Sequence, residues 1–195
     1  LAKIADYARA NDPNTTKHAT HLSTDPADPF TVVAIEEYAS QEAADAHMKW
    51  PPVLEFLEQW QADPGRLNGP PQIWHSTHAV QGFTRDAMKD AKDPYVLIAT
   101  MQYSSEEDKK KAISEWGPEV QINSKEEPGT LSYAIGDDVE NQNRLTFVEA
   151  YESEPYLKDV HMKSAGLVKM MKAEEERKPE LKIWFLKKVA GYLHK

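Results

Sequence analysis

The chain contains no cysteine, which excludes disulfides, thiolate nucleophiles and cysteine-ligated zinc or iron–sulfur centres together. Its eight glycines are scattered and build no Gly-rich phosphate loop, so nucleotide binding finds no support. Positive charge is in deficit: 23 Lys and Arg face 32 Asp and Glu, for a formal net charge of −9. A surface of that average repels phosphate backbones and anionic bilayers, which argues against nucleic-acid and membrane partners. No run approaches the ~20 uncharged apolar residues of a bilayer span. Nor is there a secretory n-region and h-region, and the default expectation is a cytoplasmic globular protein.

What the chain does contain, it contains twice. Ile35-Glu36-Glu37-Tyr38-Ala39-Ser40 aligns with Val148-Glu149-Ala150-Tyr151-Glu152-Ser153, and His47-Met48-Lys49 with His161-Met162-Lys163. Upstream, Pro13-Asn14-Thr15 meets Pro128-Gly129-Thr130; downstream, Ile73-Trp74 meets Ile183-Trp184. The offset stays between 110 (184 − 74) and 115 (130 − 15) residues, in one order throughout, which predicts two repeats. They cover residues 1–83 and 93–195, with 84–92 as a charged linker. Leu1 aligns near Trp116, inside a helix, so the first repeat is expected to lack an opening strand equivalent to Tyr95 to Met101.

Each repeat reads as strand, helix, two strands, helix, strand. Ser104-Ser105-Glu106-Glu107 has capping-box spacing after the strand from Tyr95 to Tyr103. The helix that follows carries Ala112, Ile113, Trp116 and Val120 near a 3.6 period and is expected to break at Gly117-Pro118. Pro13-Asn14 and Pro128-Gly129 suit type II turns. Strands are expected at Thr15 to Ser23, Phe30 to Tyr38, Thr130 to Gly136 and Arg144 to Tyr151. The unbroken apolar run from Val32 to Ile35 suggests a strand covered on both faces. Ser40 and Ser153 are N-caps of short helices, and Gln72 to Val80 and Lys182 to Val189 close the repeats as strands.

That order is the ferredoxin-like one, an α+β class with helices on one face of a sheet. Pro-Gly-Thr before the second strand, Val-Glu-x-Tyr-x-Ser at the end of the third, and His-Met-Lys-Ser near the following helix resemble the antibiotic biosynthesis monooxygenase (ABM) family of dimeric α+β barrels. The resemblance covers nearly all of the second repeat and all but the opening strand of the first. It implies that two βαββαβ units pack sheet to sheet as a pseudo-dimer within one chain, a swapped homodimer being the variant. It also implies oxygenation of a small hydrophobic substrate by molecular oxygen, without metal, flavin or any other cofactor. The heme-degrading branch is disfavoured, because its ligand histidine is replaced by Leu57 and Met171.

A cofactor-free oxygenase needs a base, an orienting carboxylate and donors for a developing oxyanion. His47 and His161 suit the base because imidazole titrates near working pH. Glu36 with Tyr38, and Glu149 with Tyr151, share a strand face by period 2 and provide the carboxylate and phenol. Trp74, Trp184, Trp116 and Trp50 are candidates to line a substrate pocket, together with His18 and its counterpart Tyr133. His18-x-x-His21 and His75-x-x-His78 are not read as metal sites, since i and i+3 on a strand point to opposite faces. A second reading remains open: each Tyr–Glu–His set pins helix to sheet, and the chain is a binding or structural barrel filled by its own side chains. The sequence does not choose between the repeats for a working pocket.

Overall fold

The computed structural model describes residues 1–63, 65, 68–69 and 71–195. Two compact units emerge: unit 1 holds Leu1–Leu22, Phe30–Ile73 and Lys188–Lys195, and unit 2 holds Ser23–Pro29 and Trp74–Lys187. The units therefore do not follow the repeat boundaries. Residues beyond Ile73, read as the end of the first repeat, belong to unit 2, and the last eight residues belong to unit 1.

Unit 1 opens with α1 (Ala2–Asn11), followed by β1 (Thr15–Ser23), β2 (Val32–Tyr38), α2 (Gln41–His47) and α3 (Pro51–Ala62). Ser40 caps α2 by accepting from the Ala43 amide, and Pro51 starts α3 where its missing N–H costs nothing. Its sheet runs β2-β1-β8, the last being the end of the strand Glu180–Tyr192. Its buried apolar residues include Ile4, Ala5, Ala8, Ala19, Ile35, Val53 and Tyr192. The tail is fastened closely: the Tyr192 hydroxyl donates to the Thr15 carbonyl, and Lys195 Nζ donates to the carbonyls of Ala8 and Asp12. Gly191, at φ +81°, passes so near the His18 carbonyl that a Cβ would sit 2.0 Å from it.

Unit 2 comprises β3 (Ser76–His78), β4 (Phe83–Thr84), β5 (Tyr95–Gln102), α4 (Glu106–Glu126), β6 (Thr130–Asp138), β7 (Arg144–Tyr151), α5 (Glu154–Asp159), α6 (Ala165–Arg177) and the first part of β8. The sheet order β8-β5-β7-β6-β3, with β4 also on β6, contains the ferredoxin-like core β8-β5-β7-β6, antiparallel throughout. Its core gathers Trp116, Val120, Tyr133, Ile135, Leu145, Phe147, Tyr151 and Met170.

Four expectations are corrected. First, α4 runs unbroken through Gly117-Pro118. Proline removes one ladder bond, but Ala112, Trp116, Glu119, Val120 and Asn123 are buried on both sides of it and hold the helix together. Pro118 itself is exposed. Because proline is ~3 kcal/mol worse than alanine inside a helix, Pro118→Ala is expected to raise stability by about 1–3 kcal/mol, read from the urea midpoint.

Second, neither Asn14 nor Gly129 has a positive φ, so the turns before β1 and β6 are not type II. Gly129 is required for another reason: the Tyr156 ring lies 2.4 Å from where a Cβ would be. Third, β2 is not covered on both faces. It ends the unit 1 sheet, pairs with β1 alone in the sheet order, and leaves Val32 48% exposed. An apolar run without alternation thus reports strand propensity here, not burial. Fourth, the strand expected over Gln72 to Val80 shrinks to Ser76–His78, extended by isolated bonds from the Ala79 amide to the Ile135 carbonyl and from the Val139 amide to the His75 carbonyl. The stretch read as a linker, 84–92, holds Thr84 of β4 and a 3-10 turn at Asp86–Lys89 that buries Met88.

Candidate functional site

In unit 1, antiparallel pairing sets His18 of β1 directly opposite Glu36 of β2. His47 is the last residue of α2, one turn beyond buried Ala43, and so shares the face that packs inward. The His18 Nε2 atom lies 3.2 Å from Glu36 Oε1, and His47 Nε2 lies 3.8 Å from Oε2. The Tyr38 hydroxyl donates to Glu36 Oε2 at 2.6 Å and orients the carboxylate. The rings close around one another, with His47 centroids 5.4 Å from His18, 5.3 Å from Tyr38 and 4.7 Å from Trp50.

The two histidines are buried, whereas the Glu36 side chain keeps 31% of its surface exposed. Burial holds both imidazole pKa values below the ordinary one, against the opposing pull of Glu36, so both rings are neutral at pH 7. Burial, and then the Glu36 charge, push the Tyr38 phenol upward, so it remains a donor. Nδ1 of His47 and both ring nitrogens of His18 lack a hydrogen-bond partner. A buried polar atom left so costs about 1–3 kcal/mol, which marks the cluster as unfinished. Beside it opens a cleft of about 330 Å³, lined among others by Tyr7, Asp12, Asn14, Ser40, Ala43 and Trp50. Trp50 joins the two, lining the cleft while its ring packs on His47.

In unit 2 the aligned residues also meet, with a different outcome. Tyr133 lies opposite Glu149, the Tyr151 hydroxyl donates to Glu149 Oε2, and His161 stands in a 3-10 turn after α5 with its ring 5.0 Å from Tyr151 and 5.9 Å from Tyr133. His161 Nδ1 is bonded to Glu127 Oε2 at 2.6 Å, and the Thr130 hydroxyl donates to the same oxygen at 2.9 Å. The Glu149 side chain is only 7% exposed. Burial opposes the charged imidazole, but the Glu127 hydrogen bond and the charges of Glu149, Glu127 and Glu119 outweigh it and raise the His161 pKa. Burial alone would raise Glu127, yet the bonds from His161 and Thr130 bring it below its usual range. Glu149 is raised, chiefly by burial.

Besides the exchange of His18 for Tyr133, one methylene separates the two clusters. Asp12 aligns with Glu127, and Thr15 with Thr130; the Thr15 hydroxyl donates to Asp12 Oδ2 as Thr130 does to Glu127. The shorter Asp12 side chain forms no bond to His47, so the imidazole nitrogen that is satisfied in unit 2 stays open in unit 1. Sequence reasoning missed Asp12 and Glu127 as site residues. The signal was present: both sit one residue ahead of the matched prolines Pro13 and Pro128.

The remaining candidates are placed elsewhere. Trp116 is a core residue, edge-on to Phe147 and donating from Nε1 to Glu174 Oε1 at 2.9 Å. Trp74 and Trp184 meet each other at 5.4 Å, and the Arg144 guanidinium covers Trp74.

Linkage gives unit 2 a signature in pH. A group whose pKa is higher folded than unfolded stabilises fully below its unfolded value and loses that contribution as pH rises through the folded one. For Glu149 the loss begins above 4.5, and for His161 above 6.5. Glu127, lowered on folding, works oppositely: its contribution is present above 4.5 and lost as pH falls through the lowered value. The melting temperature is therefore expected to decline from about pH 6 to about pH 9, and His161→Gln to flatten that decline.

No protein-family model matches the chain, and no curated protein is similar to it by sequence. Solved structures are similar in fold. A candidate monooxygenase from Lactobacillus acidophilus superposes with TM-score 0.76 at 14% identity, over 99% of this chain and 88% of that one. A second candidate monooxygenase, from Fusobacterium nucleatum, gives 0.70 at 15% identity over 98% and 86%. An anthrone oxidase-like protein gives 0.66 at 11% identity over 96% and 82%. The chain thus shares the mixed α+β fold of these structures. Among the described residues, no helix is long and apolar enough to cross a membrane.

Proposed function

We propose that the chain is a monooxygenase that uses molecular oxygen on a small hydrophobic substrate, and that unit 1 holds the working site. The observation that carries this reading is the 330 Å³ cleft beside a buried, neutral His47 whose Nδ1 has no partner. A neutral imidazole with one open nitrogen can take a proton; Glu36, 3.8 Å from Nε2, stabilises the imidazolium that forms. Tyr38 fixes Glu36, and Tyr7 and Trp50 give the cleft aromatic walls.

The substrate class follows from the reaction proposed. A cofactor-independent oxygenation draws its electrons from the substrate itself, which must then carry an acidic C–H or O–H on an electron-rich ring. Anthrone illustrates the balance: deprotonation at the methylene gives a carbanion that reduces oxygen, one oxygen atom becomes the new carbonyl, and the other leaves as water with the two methylene hydrogens. The name of the anthrone oxidase-like neighbour agrees with this class. Unit 2, sealed and with His161 bonded to Glu127, fits the alternative role of pinning helix to sheet.

The test is oxygen uptake by chelator-treated protein offered anthrone, 1-naphthol and hydroquinone, with product mass recorded. Uptake with gain of one oxygen atom supports the reading. No turnover across substrates of this acidity would sink it.

A further inference from the structure

The open nitrogens of unit 1 have a use that the base role does not exhaust. His18, Glu36 and His47 each direct a ligand-type atom to one point, all within 4.8 Å of one another, and they are the only such set among the described residues. We propose that these three side chains form a binding site for a single divalent transition-metal ion. The inference concerns binding and does not depend on the oxygenase reading, although an ion held there would take the lone pair that a base needs.

The donor set fits first-row ions of the zinc, cobalt and ferrous class. Two imidazoles and one carboxylate suit borderline metals, and three protein ligands leave a position open for water. Ligands at 2.0–2.2 Å around a tetrahedral ion stand about 3.3 Å apart. His18 Nε2 and Glu36 Oε1 already stand 3.2 Å apart, without the alignment of a hydrogen bond, and His47 needs to close only slightly from 3.8 Å. Metal binding requires deprotonated ligands, and both imidazoles are neutral. The Tyr38 hydroxyl on Glu36 provides the outer support that ligating carboxylates receive, and the exposed part of Glu36 provides an entry route.

Unit 2 serves as an internal control. Its aligned set replaces the His18 imidazole by the Tyr133 phenol, whose pKa burial and Glu149 drive upward, and occupies the His161 Nδ1 with Glu127. Glu127, Glu149 and His161 meet there, but no three ligand-type atoms stand as close together as in unit 1. The His-x-x-His spacings also point away from the answer: the partner of His18 is His47, which no local spacing announces. The sequence expectation of no metal rested on those spacings and on the family resemblance.

The experiment is titration of the whole, metal-stripped chain with Co2+, followed by visible absorption and calorimetry, and then displacement by Zn2+. The expected result is one saturable ion per chain, intense ligand-field bands of low-coordinate Co2+, and a melting temperature that rises with ion concentration. His18→Tyr, which installs the unit 2 residue, should weaken binding at least about 100-fold, more than loss of an outer-shell partner does. If His18→Tyr fails to fold, Glu36→Gln is the isosteric replacement at a partly exposed position and should do the same. His75→Ala, which removes the exposed His75–Glu140 pair, should leave binding unchanged. Absence of stoichiometric binding, or binding insensitive to both His18→Tyr and Glu36→Gln, overturns the proposal.

Discussion

His47→Ala is expected to reduce oxygen uptake per folded molecule by ~10²–10⁴-fold, the usual scale for losing a positioned acid–base group. The fold should survive. His47 ends a short helix, its Nδ1 is already unpartnered, and its nearest carboxylate, Glu36, has solvent contact to fall back on. The loss should appear mainly in kcat, because substrate packing on Tyr7 and Trp50 is untouched. Retention of full turnover in a stable His47→Ala protein would remove His47 from the chemistry and reopen the choice of base.

His161→Ala is expected to have the opposite profile, a stability loss of about 3–5 kcal/mol. Removing one partner of a buried ion pair strands the other, and Glu127 would be left nearly sealed from water with only the neutral hydroxyls of Thr130 and Ser164 to bond it. The cavity left by the ring adds to the loss. Denaturant unfolding would measure it, and turnover per folded molecule should change little. A loss below about 1 kcal/mol would mean that the Glu127–His161 pair contributes nothing net. The contrast between the two mutants is sharper than either alone, since one alignment column would then hold a chemical residue in unit 1 and a structural residue in unit 2.

Much of this was legible in the residues. Strands Thr15–Ser23 and Arg144–Tyr151 match their expected bounds, because turn signals and polar loops bracket β-rich runs there. Serine caps fixed the starts of α2 and α5, and period 2 put Glu36 with Tyr38 and Glu149 with Tyr151. The errors share a cause: a local preference was read where tertiary context decides. Pro118 is outweighed by the burial on both sides of it, Gly129 answers to a tyrosine ring 27 residues away rather than to its own φ, and the apolar run of β2 lies at a sheet end. The difference between the two sites was hidden more deeply. Asp12 and Glu127 read as polar turn residues, and only the fold shows that one reaches a histidine and the other does not.

The last eight residues of the chain belong to unit 1, where Tyr192 and Lys195 bond to backbone carbonyls of β1, α1 and the turn between them. On the ribosome this inverts the order of completion. Leu1–Leu22 must wait for Lys188–Lys195, which is translated well after it, whereas unit 2 needs nothing beyond Lys187. Domains generally fold as they emerge, N-terminal first. Here the half with the open cleft is the one that stays incomplete until Lys188–Lys195 has emerged, with His18 and its β1 neighbours awaiting the strand that closes over them.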